Sequence, residues 1–279
     1  MVAEQVIRVL VSLDYARPDE AVLRALADLL GSRPIELTAL HVVDEDLERA
    51  AALPGLLEIS LSGQSGALDP GRLSRELAAE ADAARLAFEL IARRLAAEHG
   101  RWSHRFEIAA GQTGVELDRA AGDCDFILVT RALRRGGLRT RLARGYLALL
   151  RRPQPVLFVN EPWASGSSVV VLADKRDATA PEAVASPGES GAKESAVSQA
   201  ERLARQQGLR LVVAVAPGMA APQDAIVRML RDSDETSIAD LCLAEDARLL
   251  VIPTGTDLDL TELLLSLMDK LPCSLLKLP

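Results

Sequence analysis

Two short apolar stretches decide how this chain folds: VLVSLD at residues 9–14 and VVVLAD at residues 169–174. Neither carries a charge before its final aspartate, and such runs are typical of strands buried on both faces of a parallel sheet. Three further apolar runs recur in the same order: LTALHVV (37–43) matches LRLVVAV (209–215), DFILVT (125–130) matches RLLVIP (248–253), and PVLFV (155–159) matches CSLLK (273–277). The sequence therefore predicts a duplicated domain.

Helical patterns separate these runs, which predicts an α/β fold with two doubly wound, Rossmann-like parallel sheets in tandem. In the first half we expect helices at 18–30, 74–99, 114–121 and 138–150, and a third strand at 104–109. The segment 44–73 has no clear period, so we expect a long loop with one helical turn at 47–53.

The second half is predicted to be a trimmed copy of the first. We place domain 1 at 1–161, a Ser/Gly/Pro-containing linker at 162–168 and domain 2 at 169–279. A helix is expected at 194–207, and a short helix at 223–230 in place of the long helix of the first half. The stretch 177–191, rich in Ala, Pro, Ser and Gly, is expected to be poorly ordered.

Bulk properties argue against several classes of protein. A net charge of −8 argues against a nucleic-acid binder. The sequence contains no run of 18 apolar residues, so no membrane span is expected. The three cysteines (Cys124, Cys242 and Cys273) are far apart in sequence and suit neither a zinc site nor a disulfide framework. We expect a soluble cytoplasmic protein without a metal site.

The ordered set of strands resembles the universal stress protein family in its tandem form. The resemblance is carried by a first strand ending in Asp14, a second strand ending in Val42-Val43-Asp44, the long loop after it, and the closing strand at 155–159. It covers residues 6–160 well and residues 168–279 more weakly. It implies the universal stress fold, with ATP or AMP as the nucleotide in domain 1.

The resemblance also implies a nucleotide site. In nucleotide-binding members, the aspartate at the Asp14 position contacts the nucleoside, the strand end at the Val43 position holds adenine by main chain, and a G-x-x-G pattern after strand four wraps the phosphates. Here the two glycine positions fall on Thr130 and Leu133. The glycines nearby are Gly136, Gly137 and Gly145. Gly145 is followed by Tyr146, whereas the family pattern continues with a glycine followed by serine or threonine. In the second half, Pro253 and Thr256 occupy the glycine positions.

Eight arginines fill the place of this phosphate loop and the helix after it: Arg131, Arg134, Arg135, Arg139, Arg141, Arg144, Arg151 and Arg152. Guanidinium groups make bidentate contacts with phosphate, so the run could hold an anion without a glycine cradle. The alternative is a solvated basic helix face paired with acidic residues such as those at 44–46. For Asp14 the alternative is a carboxylate that caps the next turn.

The sequence favours a non-enzymatic stress-response or regulatory protein with a degenerate ATP loop in both halves. One alternative is a nucleotide or anion sensor that uses the strand ends and Arg131, Arg134 and Arg135. Another, a nucleotide hydrolase, needs a phosphate loop that is not found. His41 is expected to be a satisfied core histidine. We expect the last strands of the two halves to pair within one chain, which leaves at most a weak homodimer, and a regulatory protein as the other partner.

Overall fold

The computed structural model describes residues 6–13, 20–31, 33–53, 55, 57–59, 63–130, 149–159, 163, 165–173, 195–216, 226–230, 232, 234–254, 263, 266–267 and 270–279. The chain divides into two compact units, one of residues 1–23 and 32–149, the other of residues 24–31 and 150–279. These units follow spatial packing, whereas the domain boundaries given above follow the sequence repeat and stay a prediction. No helix in the described part of the chain is long and apolar enough to cross a bilayer.

The first unit contains a parallel sheet of four strands in the order β5-β2-β1-β6. Its strands are β1 (Ile7–Leu13), β2 (Ile35–Asp44), β5 (Trp102–Gly111) and β6 (Phe126–Thr130), and a separate antiparallel hairpin joins β3 (Leu57–Ile59) to β4 (Ser65–Ala67). Its helices are α2 (Glu45–Ala51), α3 (Pro70–His99) and α4 (Thr113–Ala121), with the first residues of α1 (Glu20–Leu30).

Helix α3 begins and ends at residues that favour helix termini, and it buries one side against the sheet. Asp69 caps its first turn by accepting a hydrogen bond from the Gly71 amide, and Pro70 occupies a first-turn position that needs no donor. Gly100 ends the helix in the left-handed region, with φ of 69°. The ring of Phe88 lies on the buried side and contacts Phe106 of β5 at a centroid distance of 6.0 Å.

The second unit contains a six-stranded sheet in the order β10-β9-β8-β11-β12-β7. Its strands are β7 (Val156–Val159), β8 (Ser168–Leu172), β9 (Arg210–Val215), β10 (Ile226–Met229), β11 (Ala247–Pro253) and β12 (Ser274–Leu278), and its helices are α5 (Ala196–Gln206) and α6 (Glu235–Ala244). All neighbouring strands run parallel except β12 and β7, which are antiparallel. The predicted pairing of the two closing strands within one chain is therefore present.

The structure differs from three sequence predictions. Residues 226–229 form strand β10, not a helix, because they pair in parallel with β9 and complete the sheet. Within the segment 44–73 the predicted helical turn is present as α2, but the β3–β4 hairpin was not expected. The long helix begins at Pro70, four residues before the predicted start, where Asp69 supplies the cap. The predicted helix at 138–150 falls mostly outside the described residues, and the low-order stretch at 177–191 falls wholly outside them.

Candidate functional site

The carboxyl ends of β1 and β6 meet at the point where the strand order of the first unit reverses. From β1 the chain continues to β2 and β5 on one side, while β6 lies on the other side. Ser12 lies opposite Val129, and Leu13 lies opposite His41 of β2. In open α/β sheets, ligands bind in the crevice outside such a reversal point. This edge of the sheet is therefore the candidate ligand site.

Several predicted site residues belong to this edge. Thr130 is the last residue of β6, and Val43, half-buried, lies near the end of β2 opposite Ala110. Asp14 follows the last residue of β1 directly but lies outside the described residues. The predicted loop residues also lie outside them: Arg131, Arg134, Arg135, Gly136, Gly137 and Gly145. The structure thus brings the strand ends together, while the roles of these side chains stay predictions.

His41 lies beside this edge and differs in one respect from the expectation. Its side chain is 5% exposed and its strand position is as predicted. Its Nδ1 atom, however, has no hydrogen-bond partner among the described residues. The core position is therefore as expected, and Nδ1 is the atom for which the expected partner is not found among the described residues. Alternating polarity along a strand cannot show whether a buried ring finds a partner.

Sequence reasoning missed a second concave region, a polar groove of about 500 Å³ between α4 and one face of β2 and β5. At its centre, Nε of Arg105 donates to Oγ1 of Thr38 at 2.9 Å and lies 3.1 Å from Oε1 of Glu107, while Nη1 lies 3.6 Å from Oε1 of Glu36. The sequence does indicate this groove, because Glu36 on β2 and the alternating charged residues Arg105 and Glu107 on β5 mark one face of these strands as polar.

The arginines that line this groove are already paired. Arg8 pairs with Asp125, and Arg119 pairs with Glu116. Burial opposes ionisation of Asp125, but hydrogen bonds from the Arg8 side chain and main chain lower the pKa of that carboxyl overall. Burial also raises the pKa of the Cys124 thiol at the groove wall to about 11, so it stays protonated at neutral pH. The groove therefore offers no uncompensated positive charge to an anion.

The same residues do not form a metal site. Within the described ranges, no three His, Cys, Asp or Glu side chains come together as a cluster that could hold a metal ion. In the polar groove, each carboxylate named above already faces a guanidinium group, which a cation would have to displace.

Known structures share this architecture. A universal stress protein from Archaeoglobus fulgidus superposes with a TM-score of 0.58 at 14% identity, covering 97% of this chain and 95% of its own. The chain has the universal stress protein fold. A functionally unknown protein from Pseudomonas aeruginosa gives a TM-score of 0.55 at 14% identity, covering 97% and 92% of the two chains. A candidate universal stress protein from Pseudomonas aeruginosa gives 0.53 at 14% identity, covering 99% and 93%. No known family model and no curated protein sequence matches this chain.

Proposed function

We propose that this chain is a tandem universal-stress-type protein that acts in a stress response as a non-enzymatic regulator. The observation that carries the proposal is the likeness to the Archaeoglobus fulgidus universal stress protein, because it extends over almost the full length of both chains. A match of that extent supports two universal-stress-type copies in one chain. The boundaries at 1–161, 162–168 and 169–279 belong to this proposal.

The loss of the family's ATP loop is the second part of the proposal. A phosphate cradle needs backbone amides that no Cβ obstructs, which is why such loops are glycine-rich. Thr130 and Leu133 replace the two leading glycines of the first half, and Pro253 in the second half lacks an amide hydrogen altogether. Regulation would then depend on protein contacts, with nucleotide binding lost or altered.

One observation favours a second candidate, a sensor of a nucleotide or another anion in domain 1. The arginine run begins at Arg131, directly after Thr130, and Thr130 ends β6 at the sheet's reversal point. A loop that leaves this point begins where ligands of such sheets bind. In this candidate Asp14 and Val43 contact the nucleoside, and Arg131, Arg134 and Arg135 hold the phosphates of ATP or AMP.

Mass spectrometry of small molecules released from the purified, denatured protein distinguishes the two candidates. A stoichiometric nucleotide would favour the sensor, and its absence would favour the regulator without a nucleotide. Melting curves with added ATP, AMP or polyphosphate give an independent test, because a ligand of the native state must raise the melting temperature.

Arginine variants then locate the site. Arg134→Ala or Arg135→Ala should weaken binding about tenfold or more, since charge-assisted hydrogen bonds contribute roughly 1.5–3 kcal/mol each. The matched control is Arg151→Ala, because Arg151 precedes β7 and so lies toward the amino end of a strand. Equal losses at all arginines, abolished by salt, would mean that the run is a solvated basic face.

A further inference from the structure

Two cysteines that are far apart in sequence meet inside the second unit. Cys242 lies on the inner side of α6, four residues after Ile238, and both side chains are fully buried. Cys273 directly precedes Ser274, the first residue of β12, which lies opposite Leu249 of β11. Helix α6 packs on β11. Cys242 and Cys273 therefore both lie beside β11, one in the last turn of the helix that precedes it and the other at the amino end of the neighbouring strand.

The two thiols are neighbours in the core of the second unit. The interaction of its thiol with Cys273, together with burial, raises the pKa of Cys242 well above its ordinary value. Neither cysteine is part of a disulfide bond among the described residues, and Cys273 is 3% exposed. The pair is thus a preassembled dithiol in the interior of the second unit.

We propose that Cys242 and Cys273 form an oxidation site, at which a low-molecular-weight disulfide converts the dithiol into a disulfide bond between α6 and β12. Cys273, the nearer of the two to solvent, loses its proton and attacks the small disulfide, which releases one small thiol and leaves a mixed disulfide. Cys242 then loses its proton and attacks the Cys273 sulfur, which releases the second small thiol. Two electrons and two protons pass from the protein to the small disulfide.

The bond would act on the closing strand of the second unit. β12 pairs with β11 on one side and with β7 on the other, where Leu276 lies opposite Leu157. A covalent link from α6 to the start of β12 lowers the conformational entropy of the unfolded chain. It also holds this strand against α6 in the folded chain. Oxidation would therefore stabilise the strand pairing that joins the two closing strands.

Cys124 provides an internal comparison. Its Sγ atom donates to the carbonyl of Ala120 at 3.3 Å, and it belongs to the first unit. No cysteine contact of Cys124 exists among the described residues. A general reaction of accessible thiols would therefore modify Cys124, whereas a reaction that depends on the preassembled pair would join Cys242 to Cys273.

The test uses the full chain under native conditions with oxidised glutathione, followed by alkylation of the remaining thiols in denaturant and peptide mass mapping. We expect a peptide that links Cys242 to Cys273, a rise in melting temperature, and reversal of both by dithiothreitol. The Cys124→Ser variant should behave in the same way. Cys242→Ala should lose both the link and the rise in melting temperature.

Three results would overturn the proposal. The first is recovery of Cys242 and Cys273 fully alkylated after oxidation, and the second is glutathione adducts at these residues without a link between them. The third is a link that forms in urea-unfolded protein but not under native conditions, because a preassembled pair should react in the folded chain. All three results come from measurements on the chain without substitutions, so they do not depend on how well a variant folds.

Discussion

The Nζ atom of Lys277 donates a hydrogen bond to the carbonyl oxygen of Gln154 at 3.0 Å and a second one to the carbonyl of Arg152. Lys277 belongs to β12, lies opposite Val156 of β7, and has no solvent exposure. A wholly buried ammonium group is costly unless hydrogen bonds compensate it. The contact therefore ties the chain before β7 to the closing strand.

Replacing Lys277 should change how stability depends on pH. Burial lowers the pKa of Lys277 from 10.5 to about 8. Between these values the unfolded chain binds the proton and the folded chain does not, so the free energy of unfolding should rise as the pH rises from 8 to 10.5. Over the range from pH 8 to 10.5, the rise is at most about 3.4 kcal/mol, from about 1.36 kcal/mol per pH unit.

Urea unfolding at about pH 7.5 and about pH 10, followed by circular dichroism, measures this effect on either side of the lowered pKa. Lys277→Met should remove the rise with pH, and the difference between the two proteins cancels the titration of all other groups. An identical pH dependence in both proteins would contradict the lowered pKa. A second control is Lys270→Met, because Lys270 is part of an exposed ion pair with Glu235.

Gly166 should tolerate no side chain. Its φ is +99°, and a Cβ atom there would lie 2.6 Å from the main-chain nitrogen of Arg248. Gly166→Ala should therefore cost about 2–4 kcal/mol, from left-handed strain together with overpacking. Gly208 also has a positive φ, of +63°, but a Cβ atom added there would meet nothing within 4 Å. Gly208→Ala should cost about 1 kcal/mol, and equal losses in urea unfolding would refute the packing argument.

The intact chain should be a monomer or at most a weak dimer. Open strand edges promote association between chains, and here β7 and β12 pair with each other through Phe158 opposite Leu275 and Leu157 opposite Leu276. Size-exclusion chromatography with light scattering over a range of concentrations measures the mass. A tight tetramer would count against this prediction.

Any nucleotide should bind with a stoichiometry of at most one per chain. In the second half, Pro253 ends β11 at the position of the first phosphate-loop glycine, so that loop lacks one amide donor. Calorimetric titration of the intact chain with ATP gives the stoichiometry directly. Two saturable sites per chain would contradict the prediction, because they would show that the second half also binds. Pro253 would then not prevent binding, and Pro253→Gly should leave the heat of binding unchanged.

The strand runs were readable from sequence because each is a contiguous apolar stretch with a local cause. β1, β8, β11 and β12 lie where the runs predicted them, and the closing strands pair as expected. Strand β10 was not readable, since its short apolar stretch is interrupted by Arg228 and suits a short helix equally well, and pairing with β9 decides its conformation. It was also predictable that the strand ends at Val43 and Thr130 lie at one edge, because the carboxyl ends of parallel strands share an edge, whereas their role in a site stays a prediction.

The sequence by itself determined the α/β class, the duplication and the order of the buried strands, since these follow from local patterns of apolar residues repeated along the chain. The tertiary structure alone decided which distant side chains meet. Cys242 has Cys273 as a neighbour, and Lys277 reaches the carbonyl of Gln154, although nothing in the sequence near either partner indicates the other. The physical reason is that such contacts depend on how helices and strands far apart in sequence pack together, and local periodicity carries no information about that packing.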